Sequence, residues 1–137
     1  MYHTHRPTDW VRFEGELRPR AFDTTKFGAS GLLPWDASRL LHNAHMKLRI
    51  WEMTESMQEL VRNADGDELL FIHSGSGHLF CDYGHLEVRE GDYVVLPRST
   101  MWRLESTRPM RMLLIEATGG SYQLPDKGML GPHAIFD

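Results

Sequence analysis

Asp65-Gly66-Asp67-Glu68-Leu69-Leu70-Phe71-Ile72 opens a stretch, closing near Leu104, whose reading decides the fold. An acidic glycine turn runs straight into an apolar segment. Gly75-Ser76-Gly77, Tyr83-Gly84 and Gly91-Asp92 then break the chain at short intervals, and Tyr93-Val94-Val95-Leu96 leads into Pro97-Arg98-Ser99-Thr100. Short β-forming runs bounded by glycine turns describe a meander of antiparallel strands. With Glu68 facing inward, strand alternation takes Leu70 and Ile72 inward and sends Leu69, Phe71 and His73 to the other face. Both faces are largely apolar, so both are expected to be covered, as in a sandwich or barrel.

Upstream of this stretch, residues 1–15 mix polar and aromatic side chains without a period and read as an N-terminal arm. Residues 16–23 alternate loosely around Pro19, which cannot donate to a ladder, so an edge strand is expected there. Residues 24–36 hold Gly28, Gly31 and Pro34 and read as loop. Residues 37–41 fit one helical turn with Asp36 as its N-cap. From His45 to Met53 the period changes to two, with Met46, Leu48 and Ile50 on one face and Lys47, Arg49 and Trp51 on the other. That is the pattern of a half-buried strand. A further strand is expected at 57–61.

Downstream, strands are expected at 101–105 and 110–117. Residues 118–137 form an extended C-terminal segment ending on the apolar Ile135 and Phe136, and the native chain is expected to continue. Eight to ten short strands and at most one helical turn make an all-β barrel or jelly roll.

A chain of 137 residues, 41% hydrophobic and 25% charged, suits a single globular domain. A net charge of −4 argues against nucleic acid or an anionic membrane as partner, since both require a basic face. Cys81 is the only cysteine, so no intrachain disulfide forms, and a reducing, cytoplasmic location is expected. The N-terminus lacks the apolar core of a signal peptide, and no apolar run approaches a membrane span.

Glu68, six residues and Gly75, followed by Gly91, five residues and Pro97, resemble the two sequence motifs of the cupin superfamily. Metal-binding members carry His-x-His three or four residues before that Glu and a third histidine five residues after that Pro. Here the first slots hold Arg62 and Ala64, or Val61 and Asn63, and the last holds Trp102; the motif's glycine two residues past Pro97 is Ser99. Glu68 alone remains of four ligands, and one carboxylate does not hold a transition metal, so no metal is expected at this site. Glu68 and Trp102 are the expected lining of the degenerate site. In one reading Trp102 plugs the barrel and Glu68 is satisfied by Trp102 or an arginine; in the other Glu68 is a solvated rim residue and Trp102 ordinary core.

His42, His45, His73, His78 and His85 lack a carboxylate or cysteine at ligand spacing and read as solvated, although His78 and His85 lie near hairpin ends and could approach each other. Cys81 reads as a small core residue. Arg18, Arg20, Arg108 and Arg111 read as solvated strand-edge charges.

A longer match is more specific. Residues 61–71, Val-Arg-Asn-Ala-Asp-Gly-Asp-Glu-Leu-Leu-Phe, together with 91–98, Gly120-Ser121-Tyr122 and the tail 130–137, resemble the N-terminal domain of the homogentisate 1,2-dioxygenase family. The resemblance implies a two-domain, homo-oligomeric non-haem Fe(II) enzyme that opens the homogentisate ring with O2 to give maleylacetoacetate in tyrosine and phenylalanine breakdown. It places the iron in a C-terminal domain outside these residues, so no iron ligand carries over and no catalytic residue is expected here. The implied role is a scaffold that packs on its own catalytic domain and on neighbouring subunits. Phe71, Trp51, Ile135 and Phe136 are the apolar residues expected to be exposed for self-association. Two other readings stand beside it: a free-standing metal-free cupin binding a small ligand or protein partner, and a small metallo-cupin built from the histidines named above.

Overall fold

The computed structural model describes residues 12, 14–16, 21–28 and 30–123. Nine strands and two single-turn 3-10 helices, Thr24–Lys26 and Pro34–Asp36, make up the described regular structure. The strands are β1 (Ser38–His42), β2 (Met46–Met53), β3 (Val61–Arg62), β4 (Asp67–Ser74), β5 (Ser76–Cys81), β6 (Gly84–Arg89), β7 (Tyr93–Leu96), β8 (Met101–Glu105) and β9 (Met110–Ala117). They form two sheets, ordered β1-β2-β9-β4-β7 and β3-β8-β5-β6. This is the all-β jelly roll that the turn spacing called for.

Alternation places the core between the sheets. Leu70 and Ile72 of β4, and Met110, Met112 and Leu114 of β9, are buried on the inner face of the five-stranded sheet. Leu79, Val88, Trp102 and Leu104 meet them from the four-stranded sheet. The chain changes sheets at Gly75, whose φ of +93° is open to glycine and costly for other residues. A side chain there would also meet the Pro109 carbonyl oxygen at 2.9 Å.

β2 has the expected period with a telling polarity. Register aligns Lys47 with Glu116, Arg49 with Leu114, Trp51 with Met112 and Met53 with Met110, all on the inner face. The face that carries Lys47, Arg49 and Trp51 therefore turns toward the core, while Met46 and Leu48 lie on the outer face. Trp51 is fully buried, so it is not available for the self-association anticipated from the sequence.

Four other expectations change. Residues 38–42 are strand rather than helix, because Ser38–His42 finds an edge on β2, and Asp36 closes a 3-10 turn by accepting from the Leu33 amide at 3.2 Å. Of 57–61, only Val61 is strand; Met57 is instead tied to β8 by its amide, which donates to the Leu104 carbonyl at 3.0 Å. The expected edge strand at 16–23 is irregular at 21–23, and 17–20 with Arg18 and Arg20 lie outside the described residues, as do most of the N-terminal arm and residues 124–137. The outer face of the five-stranded sheet is only half covered among the described residues. Leu69 and Phe71 are partly buried, whereas Tyr93 and Val95 are exposed.

Ser99 stands where the family motif has glycine and adopts a φ of +68°. Its amide donates to the Asn63 carbonyl at 2.7 Å, a bond that holds the 97–100 turn against the Asn63 turn. A side chain in the left-handed region carries a cost that glycine avoids. Ser99→Gly is expected to stabilise the fold by up to about 1 kcal/mol in urea denaturation; an unchanged or lower midpoint counts against a strained turn.

Candidate functional site

β4 places Glu68 directly opposite Leu96 of β7 on one side and Glu116 of β9 on the other. Two carboxylates facing across neighbouring strands repel unless cations join them. β2 supplies those cations from the same inner face. Lys47 Nζ donates to Glu116 Oε1 at 2.9 Å, and Arg49 Nη2 donates to Glu116 Oε2 at 2.5 Å. The same Nη2 stands 3.8 Å from Glu68 Oε1, while Arg49 Nη1 donates to the Pro34 carbonyl at 3.3 Å. Glu68 and Glu116 are 2% and 3% exposed, whereas the Lys47 side chain is 40% exposed, so the cluster is a formally neutral group of four charges at one end of the core that reaches solvent at Lys47. Pairing is what makes such burial tolerable.

Trp102 lies on the inner face of β8, opposite Cys81 of β5 and Val61 of β3. It is inaccessible to solvent and meets Trp51 edge to face, with ring centres 6.3 Å apart and planes at 74°. Trp51 Nε1 donates to the Gly31 carbonyl at 2.9 Å, satisfying its buried N–H. Trp102 Nε1, Glu68 Oε1 and Arg49 Nε are buried without a hydrogen bond of ordinary length and angle. Burial pushes the Glu68 carboxyl above the usual carboxylate range. The Asn63 side chain, Arg49 and the Trp102 indole oppose that shift, and the Glu116 charge adds to it.

Asp67, next along β4, faces the other way and has the opposite balance. Burial raises its carboxyl, but the Arg98 and Tyr122 amides, each donating at 2.8 Å, together with the Ser121 side chain and the Arg98 charge, outweigh burial and hold it below its ordinary value. Asp67 thereby ties the 97–100 turn to the segment that follows β9.

The slots of a cupin metal site do not fit a metal here. Val61 is buried in β3 and Arg62 points to solvent. The Asn63 side-chain oxygen accepts the amides of Asp65 and Gly66 and is spent on shaping the turn. Trp102 offers no lone pair, and the Arg49 guanidinium already supplies positive charge beside Glu68. The described residues contain no group of three or more His, Cys, Asp or Glu arranged to hold a metal ion. No chemical step through a metal follows from this donor set.

The remaining candidates scatter. His42, His45 and His73 are exposed on separate segments. His78 and His85 come together, with Nδ1 and Nε2 3.0 Å apart. Cys81 packs against the core. Arg111 is not a solvated edge charge: it lies on the central strand β9 and is ion-paired with Glu52 across from it on β2. Sequence reasoning named Glu68 and Trp102 but missed Lys47, Arg49 and Glu116. The signal was present, since Glu116 continues the period of Met110, Met112 and Leu114, and Lys47 and Arg49 continue that of Trp51 and Met53.

The fold and this blocked site define a cupin barrel without the superfamily's histidine ligands. Among solved structures, the chain is similar to a cupin protein of Bacteroides fragilis, with a TM-score of 0.54, 17% identity, and coverage of 65% of this chain and 83% of that one. It is likewise similar to a cupin-2 domain protein of Shewanella frigidimarina, with a TM-score of 0.57, 13% identity, and coverage of 68% and 86%. The family model described as homogentisate 1,2-dioxygenase N-terminal matches residues 29–136, and the chain belongs to that family. Relatives include homogentisate 1,2-dioxygenases of Bradyrhizobium diazoefficiens, 31% identical over 94 residues, and Rhodopseudomonas palustris, 33% identical over 94 residues. Each match covers 67% of this chain and 21% of the relative. A Saccharolobus solfataricus protein named provisionally as a dioxygenase is 29% identical over 129 residues, covering 85% of this chain and 34% of that protein. The chain thus spans about a third or less of the length of these relatives.

Arg49→Met should destabilise the fold by about 3–5 kcal/mol in urea denaturation, because it leaves two buried carboxylates facing each other. Trp102→Ala should cost a similar ~3–5 kcal/mol through lost packing. Glu68 gives a pH signature. Its proton is held more tightly in the folded state than in the unfolded chain, so its contribution is complete below the ordinary carboxylate pKa and is lost as pH rises through the folded value. Glu68→Gln should therefore gain stability relative to wild type as pH is raised from 4 to 8, read as thermal midpoints across that range. A difference that stays flat with pH would show Glu68 to be solvated.

Proposed function

We propose that this chain is the N-terminal, metal-free scaffold of a ring-cleaving non-haem iron dioxygenase acting on homogentisate, with the catalytic Fe(II) held in a C-terminal domain outside these residues. The observation that carries the reading is the conjunction of family membership over residues 29–136 with a cupin slot filled by Trp102. The chain as a single cupin-like unit supplies no catalytic residue, and Glu68 and Trp102 act in holding the barrel closed. Its partners are its own catalytic domain and neighbouring subunits of a cytoplasmic homo-oligomer, with no nucleic acid or membrane. No helix among the described residues is long and apolar enough to cross a membrane. The half-open outer face of the five-stranded sheet, with Tyr93 and Val95 exposed, offers apolar area for such packing.

A second reading, a free-standing metal-free cupin that binds a small ligand or protein partner, draws support from a different observation. The chain covers 83% and 86% of two solved cupin proteins, so a barrel of this size occurs as most of a whole chain.

One experiment separates the two. The 137-residue chain, and the same chain extended through whatever reading frame follows Asp137, are supplied with Fe(II), homogentisate and O2, and maleylacetoacetate formation is followed by absorbance. The scaffold reading expects turnover only from the extended polypeptide. Turnover by the short chain, or a stop codon after Asp137, would overturn it.

A further inference from the structure

We propose that His78 and His85 form a chelating pair for a borderline divalent cation of the Zn2+, Ni2+ or Cu2+ class, on the outer face of the four-stranded sheet. The proposal is independent of the scaffold reading and of the blocked cupin site, which lies on the inner face.

The placement follows from alternation in one hairpin. β5 buries Gly77 and Leu79, sending His78 and Phe80 outward; β6 buries Val88, sending His85 and Glu87 outward. Register sets Phe80 opposite His85 and His78 opposite Glu87, so the two histidines are diagonal neighbours. Diagonal residues on one face of an antiparallel pair lie within reach of long side chains.

Three features go beyond proximity. First, His78 Nδ1 and His85 Nε2 are 3.0 Å apart. Nitrogens bound at about 2.0–2.1 Å to one ion stand roughly 2.9 Å apart at right angles and roughly 3.4 Å apart in a tetrahedron, so the observed spacing suits a shared ion after a small ring rotation. Second, His85 stacks on Phe80, with ring centres 4.7 Å apart and planes at 14°, which limits the rotamers it must surrender on binding. Arg103 also lies on Phe80, 5.4 Å from its centre, and is held there by Glu105 at 2.5 Å. Third, His78 lines a surface cavity of about 220 Å3 with Glu87 and Glu105. Glu105 is committed to Arg103, whereas Glu87 makes no ion pair among the described residues. Glu87, opposite His78, therefore adds negative charge beside the pair rather than a third ligand, and water completes the coordination. A pair of imidazole donors selects borderline transition ions over Mg2+ or Ca2+.

The test is calorimetric titration of the full 137-residue chain with ZnCl2, NiCl2 and MgCl2, repeated on His78→Gln, His85→Gln, Glu87→Gln and His3→Gln/His5→Gln variants. His78, His85 and Glu87 are exposed in the structure, His3 and His5 serve as a control because they form the chain's one His-x-His spacing, and circular dichroism checks each fold. One saturable site for Zn2+ and Ni2+ is expected, absent for Mg2+. It should weaken at least about tenfold in either single histidine variant and less in Glu87→Gln, and be unchanged in His3→Gln/His5→Gln. A Zn2+-dependent rise in thermal midpoint should vanish with His85→Gln. The proposal is overturned if no saturable binding is seen, if binding survives in the His78→Gln/His85→Gln double variant, or if it is lost only with His3 and His5.

Discussion

The edge-to-face contact of Trp51 and Trp102 joins the two sheets across the centre of the barrel, and much else is arranged around it. Each indole comes from a different sheet, and both are completely buried. Two large rings in contact set the separation of the layers and leave no room for the three imidazoles that a metal-binding cupin gathers at this level. Aromatic pairs of this geometry add to ordinary area burial, so the plug is stabilising as well as obstructive.

Next to this apolar plug lies the ionic cluster, and the two depend on each other. Arg49, Glu68 and Glu116 are tolerable in a dry interior only because, with the partly exposed Lys47, they balance in charge and lie on adjacent strands in matching register. β9 is the central strand that makes this possible, pairing β2 on one side and β4 on the other. The imbalance that remains, with Glu68 only 3.8 Å from Arg49 and lacking a full hydrogen bond at Oε1, is why burial dominates its protonation. Asp67, one residue away, shows the contrast: hydrogen bonds from two backbone amides and the Ser121 side chain, with the Arg98 charge, reverse the direction. In this member of the homogentisate 1,2-dioxygenase N-terminal family, the level of the cupin slots thus holds an electrostatic clamp beside Trp102.

Much of the fold was legible in the residues. Glycine turns at Gly75, Gly84 and Gly91 marked the strand ends, and their positive φ angles explain why glycine was needed there. The inward set Glu68, Leu70 and Ile72 followed from period two. Misreadings fell where local signals were weak or were overridden by distant partners. Residues 37–41 looked helical after an Asp-initiated turn, but β2 offered an unpaired edge to Ser38–His42, and a ladder outweighs a single helical turn. Arg111 looked like a solvated charge because its partner Glu52 lies 59 residues away.

What the sequence determined by itself was the strand period, the turn positions, the loss of three histidines from the motif and the family resemblance, all of which depend on neighbours along the chain. Tertiary structure alone decided which face of β2 turns inward, since Met46-Leu48-Ile50 and Lys47-Arg49-Trp51 are both credible core faces until β9 sets Glu116 beside Lys47. It alone brought His78 within 3.0 Å of His85 and left Trp102 against Trp51. Side-chain alternation is a local property, but register and sheet pairing are not. A charge can face inward only when a counter-charge from a remote strand reaches the same place.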